Sequence, residues 1–254
     1  MDQQTQDALF EYLLRLGDDL LVLGHRLSEW CGHAPILEED IALSNIALDC
    51  IGQAEAFLAL AGETEGKGRD ENKLAYFRDE WEYHNLALLE QPRGDFAYTI
   101  VRQFLYNTFS WIHLDALKDS KHEPLAAIAA KAHKEVTYHL RHASAWLQRL
   151  GDGTEESHNR MQKALDDLWM FTDELFYTDD VDKVLYEADM APDLDAFRDQ
   201  WREMVTSEIT KATLTVPEDG YMAEGARQGR HTEHLGHMLA EMQILARSHP
   251  EATW

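Results

Sequence analysis

Cysteine is nearly absent from this chain of 254 residues: Cys31 and Cys50 are the only two, and no CxxC pair occurs. That excludes a disulfide framework and a zinc ribbon, and leaves two buried, reduced thiols as the expectation. Positive charge is also scarce, with 23 Lys and Arg against 47 Asp and Glu and a formal charge of −24. Binding to phosphate depends on clusters of lysine and arginine, and none occurs here, so nucleic acid and anionic membrane surfaces are excluded as partners. An acidic exterior favours solubility and is compatible with a basic partner. Long apolar runs are missing too: no stretch approaches the roughly 18 consecutive apolar residues of a membrane span. The start, Met1-Asp2-Gln3-Gln4, has neither the basic opening nor the apolar core of a secretory signal, so a soluble, cytoplasmic protein is expected. There is no glycine-rich dinucleotide or phosphate loop, no nucleophile elbow, and no strand-like alternation of useful length.

What is present is helical periodicity. From about Gln6 to Trp30 the stripe Leu13, Leu16, Leu20, Leu23, Leu27 and Trp30 alternates spacings of three and four, the signature of a helix packed on neighbours. Gly32-His33-Ala34-Pro35 ends it, and a second helix runs from about Glu38 to Leu60. Ala61-Gly62 opens a polar loop, Glu63 to Asp70, followed by a helix over Lys73 to Leu89 that Gln91-Pro92-Arg93-Gly94 closes. Two further long helices are expected over Asp95 to Leu117, with Ile100, Phe104, Asn107, Trp111 and Leu114 on its stripe, and over Leu125 to Leu150. Others follow at Glu156 to Tyr177, which Thr154 can cap, at Asp193 to Thr213 and at Thr232 to Ser248. Trp111, Trp146 and Trp169 sit at helical spacing among apolar neighbours and read as core. The pattern predicts one all-α domain over residues 1–254, a four-helix core with additional C-terminal helices around it.

Bundles that hold two irons present one Glu from each of two helices and a Glu-x-x-His pair from each of two others. Several stretches here carry a family likeness: Leu16-Gly17-Asp18-Asp19, Leu27-Ser28-Glu29-Trp30-Cys31-Gly32-His33-Ala34-Pro35, Glu90-Gln91-Pro92, Tyr138-His139-Leu140-Arg141 and His231-Thr232-Glu233-His234-Leu235-Gly236. In that order they resemble the ferritin-like C subunits of bacterial phenylacetyl-CoA 1,2-epoxidase, the multicomponent oxygenase of aerobic phenylacetate degradation, over essentially the whole chain. The resemblance implies a ferritin-like fold. It also implies a homologous catalytic A subunit that holds the di-iron centre and binds the thioester, a small B-type subunit, and a reductase carrying FAD and an iron–sulfur cluster.

Against the A-type ligand pattern, helix register puts Leu23 at the first-helix Glu and Asp49 and Gly52 at the second-helix Glu-x-x-His. Asn107 falls at the third-helix carboxylate, and Val136 and His139 at the fourth-helix Glu-x-x-His. Only Asp49 and His139 keep side chains that bind iron well, and a one-residue slip would add Glu135. The expectation is that Asp49, Glu135 and His139 form a buried polar cluster, each satisfying the others without metal.

A second cluster, His231, Glu233, His234, His237 and Glu241, has ligand-like spacing, with His234 and Glu241 on one face and His231 close by. It reads Glu-His-x-x-His rather than His-Glu-x-x-His, and capping, packing or a contact between subunits accounts for it. Two functions follow. One is a non-catalytic subunit with a large apolar face toward the catalytic bundle and no metal or cofactor of its own. The other is a di-metal carboxylate oxidase or hydroxylase using Asp49, Glu135 and His139.

Overall fold

The computed structural model describes residues 1–252, and among these it contains helices and turns but no strand. In chain order the helices are α1 (Gln3–Ser28), α2 (Leu37–Glu65), α3 (Glu71–Tyr76), α4 (Ala87–Glu90), α5 (Phe96–Leu117), α6 (Glu123–Gly151), α7 (Glu155–Trp169), α8 (Asp180–Glu187), α9 (Arg198–Lys211) and α10 (Glu233–Ser248). Side chains start several of them: Asp2 accepts from the Thr5 amide and Asp95 from the Tyr98 amide, while Thr154 and Ser157 cap α7 reciprocally.

Four long helices, α1, α2, α5 and α6, make the core. Tyr12 pairs with His113 at 2.6 Å and Trp30 Nε1 donates to Thr99 at 3.0 Å, so α1 and α5 run antiparallel. Glu39 with His142 and Gln53 with Glu135 set α2 antiparallel to α6 in the same way. With short turns inside the pairs α1–α2 and α5–α6, helices α2 and α5 must then point the same way, and the stretch from Gly66 to Asp95 carries the chain back along the bundle. One long crossover is the ferritin-like connection. Helices α1 and α2 approach closely because Gly17 and Gly24 have no side chain; a Cβ at Gly17 would lie 2.7 Å from Leu58 and one at Gly24 2.8 Å from Ile51.

Several expectations need correction. The helix expected over Lys73 to Leu89 breaks after Tyr76, passes through a 3-10 turn at Glu80–Glu82 and resumes only at Ala87. The cause is a competing set of acceptors: the amides of His84 and Leu86 donate to Asp18 and Asp19 of α1, and that of Ala87 to Glu174. The helix expected to reach Tyr177 stops at Trp169, where Thr172 donates back to the Trp169 carbonyl and Glu174 turns inward from a 3-10 turn. Helix α8, capped by Asp179, fills a stretch with no helix expected. Cys31 is exposed, because α1 ends at Ser28 and Cys31 lies in the turn beyond; Cys50 is buried. Trp169 is core, whereas Trp111 and Trp146 are half-buried against it.

Candidate functional site

The middle of the bundle is where a ferritin-like fold would place metal. Leu23 and Val136 are fully buried hydrocarbon there, Asn107 is buried with its amide nitrogen unpartnered, and a Cβ added to Gly52 would meet nothing within 4 Å. His139 is buried, and its Nε2 lies 3.0 Å from Asp49 Oδ2. Burial is the largest influence on this ring and holds it below the ordinary histidine value in spite of Asp49, so a neutral imidazole donating to the carboxylate is the form that fits.

The expected buried cluster is only partly there. The Asp49 side chain is 41% exposed and that of Glu135 25%, against 1% for His139. Glu135 accepts from Gln53 Nε2 at 2.8 Å, has Lys131 at 3.8 Å, and makes no hydrogen bond to His139. The seam between α2 and α6 admits water along this flank, so both carboxylates stay hydrated and do not depend on one another. A pair that register did not suggest, Glu39 with His142 at 2.8 Å, closes the same seam nearer the start of α2 and is the better buried of the two. Among the described residues no three His, Cys, Asp or Glu side chains converge as a metal site requires. A cleft of about 350 Å³ opens between α5, α6 and α9, lined by Phe104, Thr108, Leu140 and Met204 among others, and takes in none of the six register positions.

The C-terminal histidines do not converge either. His231 turns back to α4, with Nδ1 2.8 Å from Glu90 and Nε2 2.9 Å from the Tyr83 carbonyl. His237 and Glu241 lie on α10, away from that contact, with Glu241 exposed. The packing reading of this cluster therefore holds for His231.

Beside the mid-bundle lies a constellation of buried charge that spacing alone did not point to. Asp18 accepts from Arg78, and Asp19 accepts from Arg227 at 2.8 and 2.9 Å. Burial lifts the Asp19 carboxyl to about 6, against the pull of Arg227. Glu174 accepts three amides, from Ala87, Gly225 and Ala226, at 2.8 to 2.9 Å. Glu90 accepts from Asn85, His231 and the Thr232 amide. Arg102, fully buried and pulled down to about 10 by that burial, donates to the carbonyls of Gln91 and Pro92. The available signal was Asp18-Asp19 inside the apolar stripe of the first helix, since two carboxylates there demand buried cations. Three of the stretches that carry the family likeness thus supply this clasp, which ties α1, the crossover and the segment before α10 together.

The model of a family described as phenylacetic acid catabolic protein matches residues 1–254, the whole chain. The chain belongs to that family. Among curated members of this phenylacetic acid catabolic family, the C subunit of 1,2-phenylacetyl-CoA epoxidase from Escherichia coli (strain K12) is 50% identical over 248 residues, covering 98% of this chain and 100% of the relative. The all-α, ferritin-like bundle of this chain is consistent with that family.

Among the described residues α2 is the one helix long and apolar enough, by composition, to cross a membrane. Its inner face packs on α1. Leu37, Ile41 and Leu48 share an outer face and are exposed, Leu48 by 68%, with Ile36 just before the helix and Tyr138 of α6 also exposed. Apolar side chains at this helical spacing on an outer face are the raw material of a helix-on-helix contact.

Proposed function

We propose that this chain is the non-catalytic C-type subunit of a multicomponent 1,2-phenylacetyl-CoA epoxidase, pairing with a homologous di-iron A-type bundle and stabilising it. The observation that carries the reading is the makeup of the mid-bundle. Its residues do not fit two irons: two positions are hydrocarbon, one is glycine, one a carboxamide, and the two ligand-type side chains, Asp49 and His139, are bonded to each other. No chemical step is therefore assigned to this chain; di-iron belongs to the A-type partner, and FAD with an iron–sulfur cluster to a reductase, while a small B-type subunit makes up the rest of a cytoplasmic assembly.

The apolar flank of α2 supports pairing, since exposed leucine and isoleucine at helical spacing bury well against a second bundle. The test is co-purification with the A-type bundle. Leu48→Asp should weaken the pair at least about tenfold while changing the stability of the isolated chain by no more than about 0.5 kcal/mol, because the side chain is already in water. Pairing at wild-type strength in Leu48→Asp and in Ile41→Asp would remove α2 from the interface. Stoichiometric iron on the isolated chain would favour the di-metal oxidase reading with Asp49, Glu135 and His139.

A further inference from the structure

His231 is enclosed, with a side chain only 4% exposed, and each ring nitrogen faces an acceptor: Nδ1 meets the Glu90 carboxylate and Nε2 the Tyr83 carbonyl. The Tyr83 carbonyl cannot donate, and Glu90 cannot as a carboxylate, the form that accepts from Asn85 and from the Thr232 amide. A neutral imidazole has one N–H and one lone pair, so it would satisfy one acceptor and set a lone pair against the other. Only the imidazolium donates at both nitrogens. Glu90 imposes the same requirement from the other side: it is fully buried, and among the described residues no lysine or arginine touches its carboxylate. We propose that His231 is held as an imidazolium at neutral pH and that its proton latches the start of α10 to the crossover, so that alkaline pH loosens that end of the helix while Gln243 and Arg247 keep its far end bonded to the crossover.

The surroundings are consistent with this. From α1, Asp18 adds negative potential although Arg78 is bonded to it, and Arg26 bonds the carbonyls of Glu90 and His234 rather than the Glu90 carboxylate. From the crossover, His84 is held below its ordinary value by burial and bonds the Arg227 carbonyl. Glu80 lies against Gly236 at the start of α10, and Arg230 is turned toward Gln228. Burial alone would lower His231; Glu90 and the Tyr83 carbonyl outweigh it and hold the ring above its ordinary value. The sign follows: a folded value above the unfolded one gives stability that is complete below 6.5 and is lost as pH rises through the folded value.

The experiment uses the whole chain with 15N-labelled histidine, titrated from about pH 5.5 to pH 9.5. Both ring nitrogens of His231 should carry imidazolium shifts at neutral pH, with a midpoint above 6.5. Amide exchange at the start of α10, corrected for its intrinsic pH dependence, should accelerate through that midpoint while exchange in α1 does not. His231→Gln should make exchange there independent of pH across the range. A neutral ring at neutral pH, protection at the start of α10 that ignores the His231 midpoint, or a wild-type pH dependence in His231→Gln would each overturn the proposal. The wild-type titration and exchange decide it even for a variant that does not fold.

Discussion

Glu174 offers the sharpest test of how this fold is held. Its carboxylate is buried, and one oxygen accepts the amides of Gly225 and Ala226 while the other accepts that of Ala87. Glu174→Gln keeps the shape but turns one acceptor into a donor. The amide oxygen can serve either side of the clasp, and the NH₂ then confronts a backbone N–H on the other. A hydrogen bond to a charged group contributes about 1.5–3 kcal/mol, and a buried N–H left without a partner costs about 1–3 kcal/mol. Relief from burying a carboxylate offsets part of this, and the net expectation is about 2–4 kcal/mol. For a chain of this size that lowers Tm by on the order of 10 °C. Urea unfolding should show a lower midpoint at unchanged slope, and hydrogen exchange should speed at Ala87, Gly225 and Ala226 before it does in α1 or α5. A Glu174→Gln chain within about 1 kcal/mol of wild type, with those three amides still protected, would refute the reasoning.

Two further outcomes follow from the same geometry. Asp49→Ala should cost about 1–2 kcal/mol, because it takes the acceptor from the buried His139 Nε2–H while water can reach the place of a carboxylate that is 41% exposed; urea midpoints measure this, and a loss several times larger would mean that the α2–α6 seam is dry. Burial holds His113, paired with Tyr12, down to about 3, so its contribution is complete above the ordinary histidine value and is lost as pH falls toward 3. Between about pH 6.5 and pH 5 this group alone should remove about 1.5–2 kcal/mol. His139 shifts in the same direction and adds to the loss, whereas Asp19, held up to about 6, takes up its proton in the folded state over the same window and offsets part of it, and His231 also shifts the other way. The stability difference between wild type and His113→Gln, read from urea midpoints, should shift by that amount over the window, and a difference that stays constant with pH would contradict the assignment of a neutral buried His113.

The core was legible because the leucine stripe of the first helix and the Phe104–Asn107–Trp111 stripe of the third long helix need nothing but helical period to be read. The crossover was not, since its broken helix is decided by Asp18, Asp19 and Glu174, which reach its backbone amides from distant parts of the chain. A local pattern over Lys73 to Leu89 carries no trace of those acceptors. Register likewise placed Asp49 and His139 together correctly, a single hydrogen bond at 3.0 Å. It missed the exposure of Asp49 and Glu135, because the openness of a helix seam depends on how two helices diverge, which sequence spacing does not encode. The pairing of Glu90 with His231, 141 residues apart, was hidden for the same reason, although both residues lie in stretches that carry the family likeness.

The most direct test of the central claim is iron content, measured by elemental analysis on the isolated chain and on the chain co-purified with an A-type bundle. The expected result is essentially no iron on the isolated chain, with iron in the complex tracking the amount of the A-type partner. Iron approaching about two per isolated chain, the complement of a working di-iron bundle, would contradict it and make this chain a catalyst in its own right.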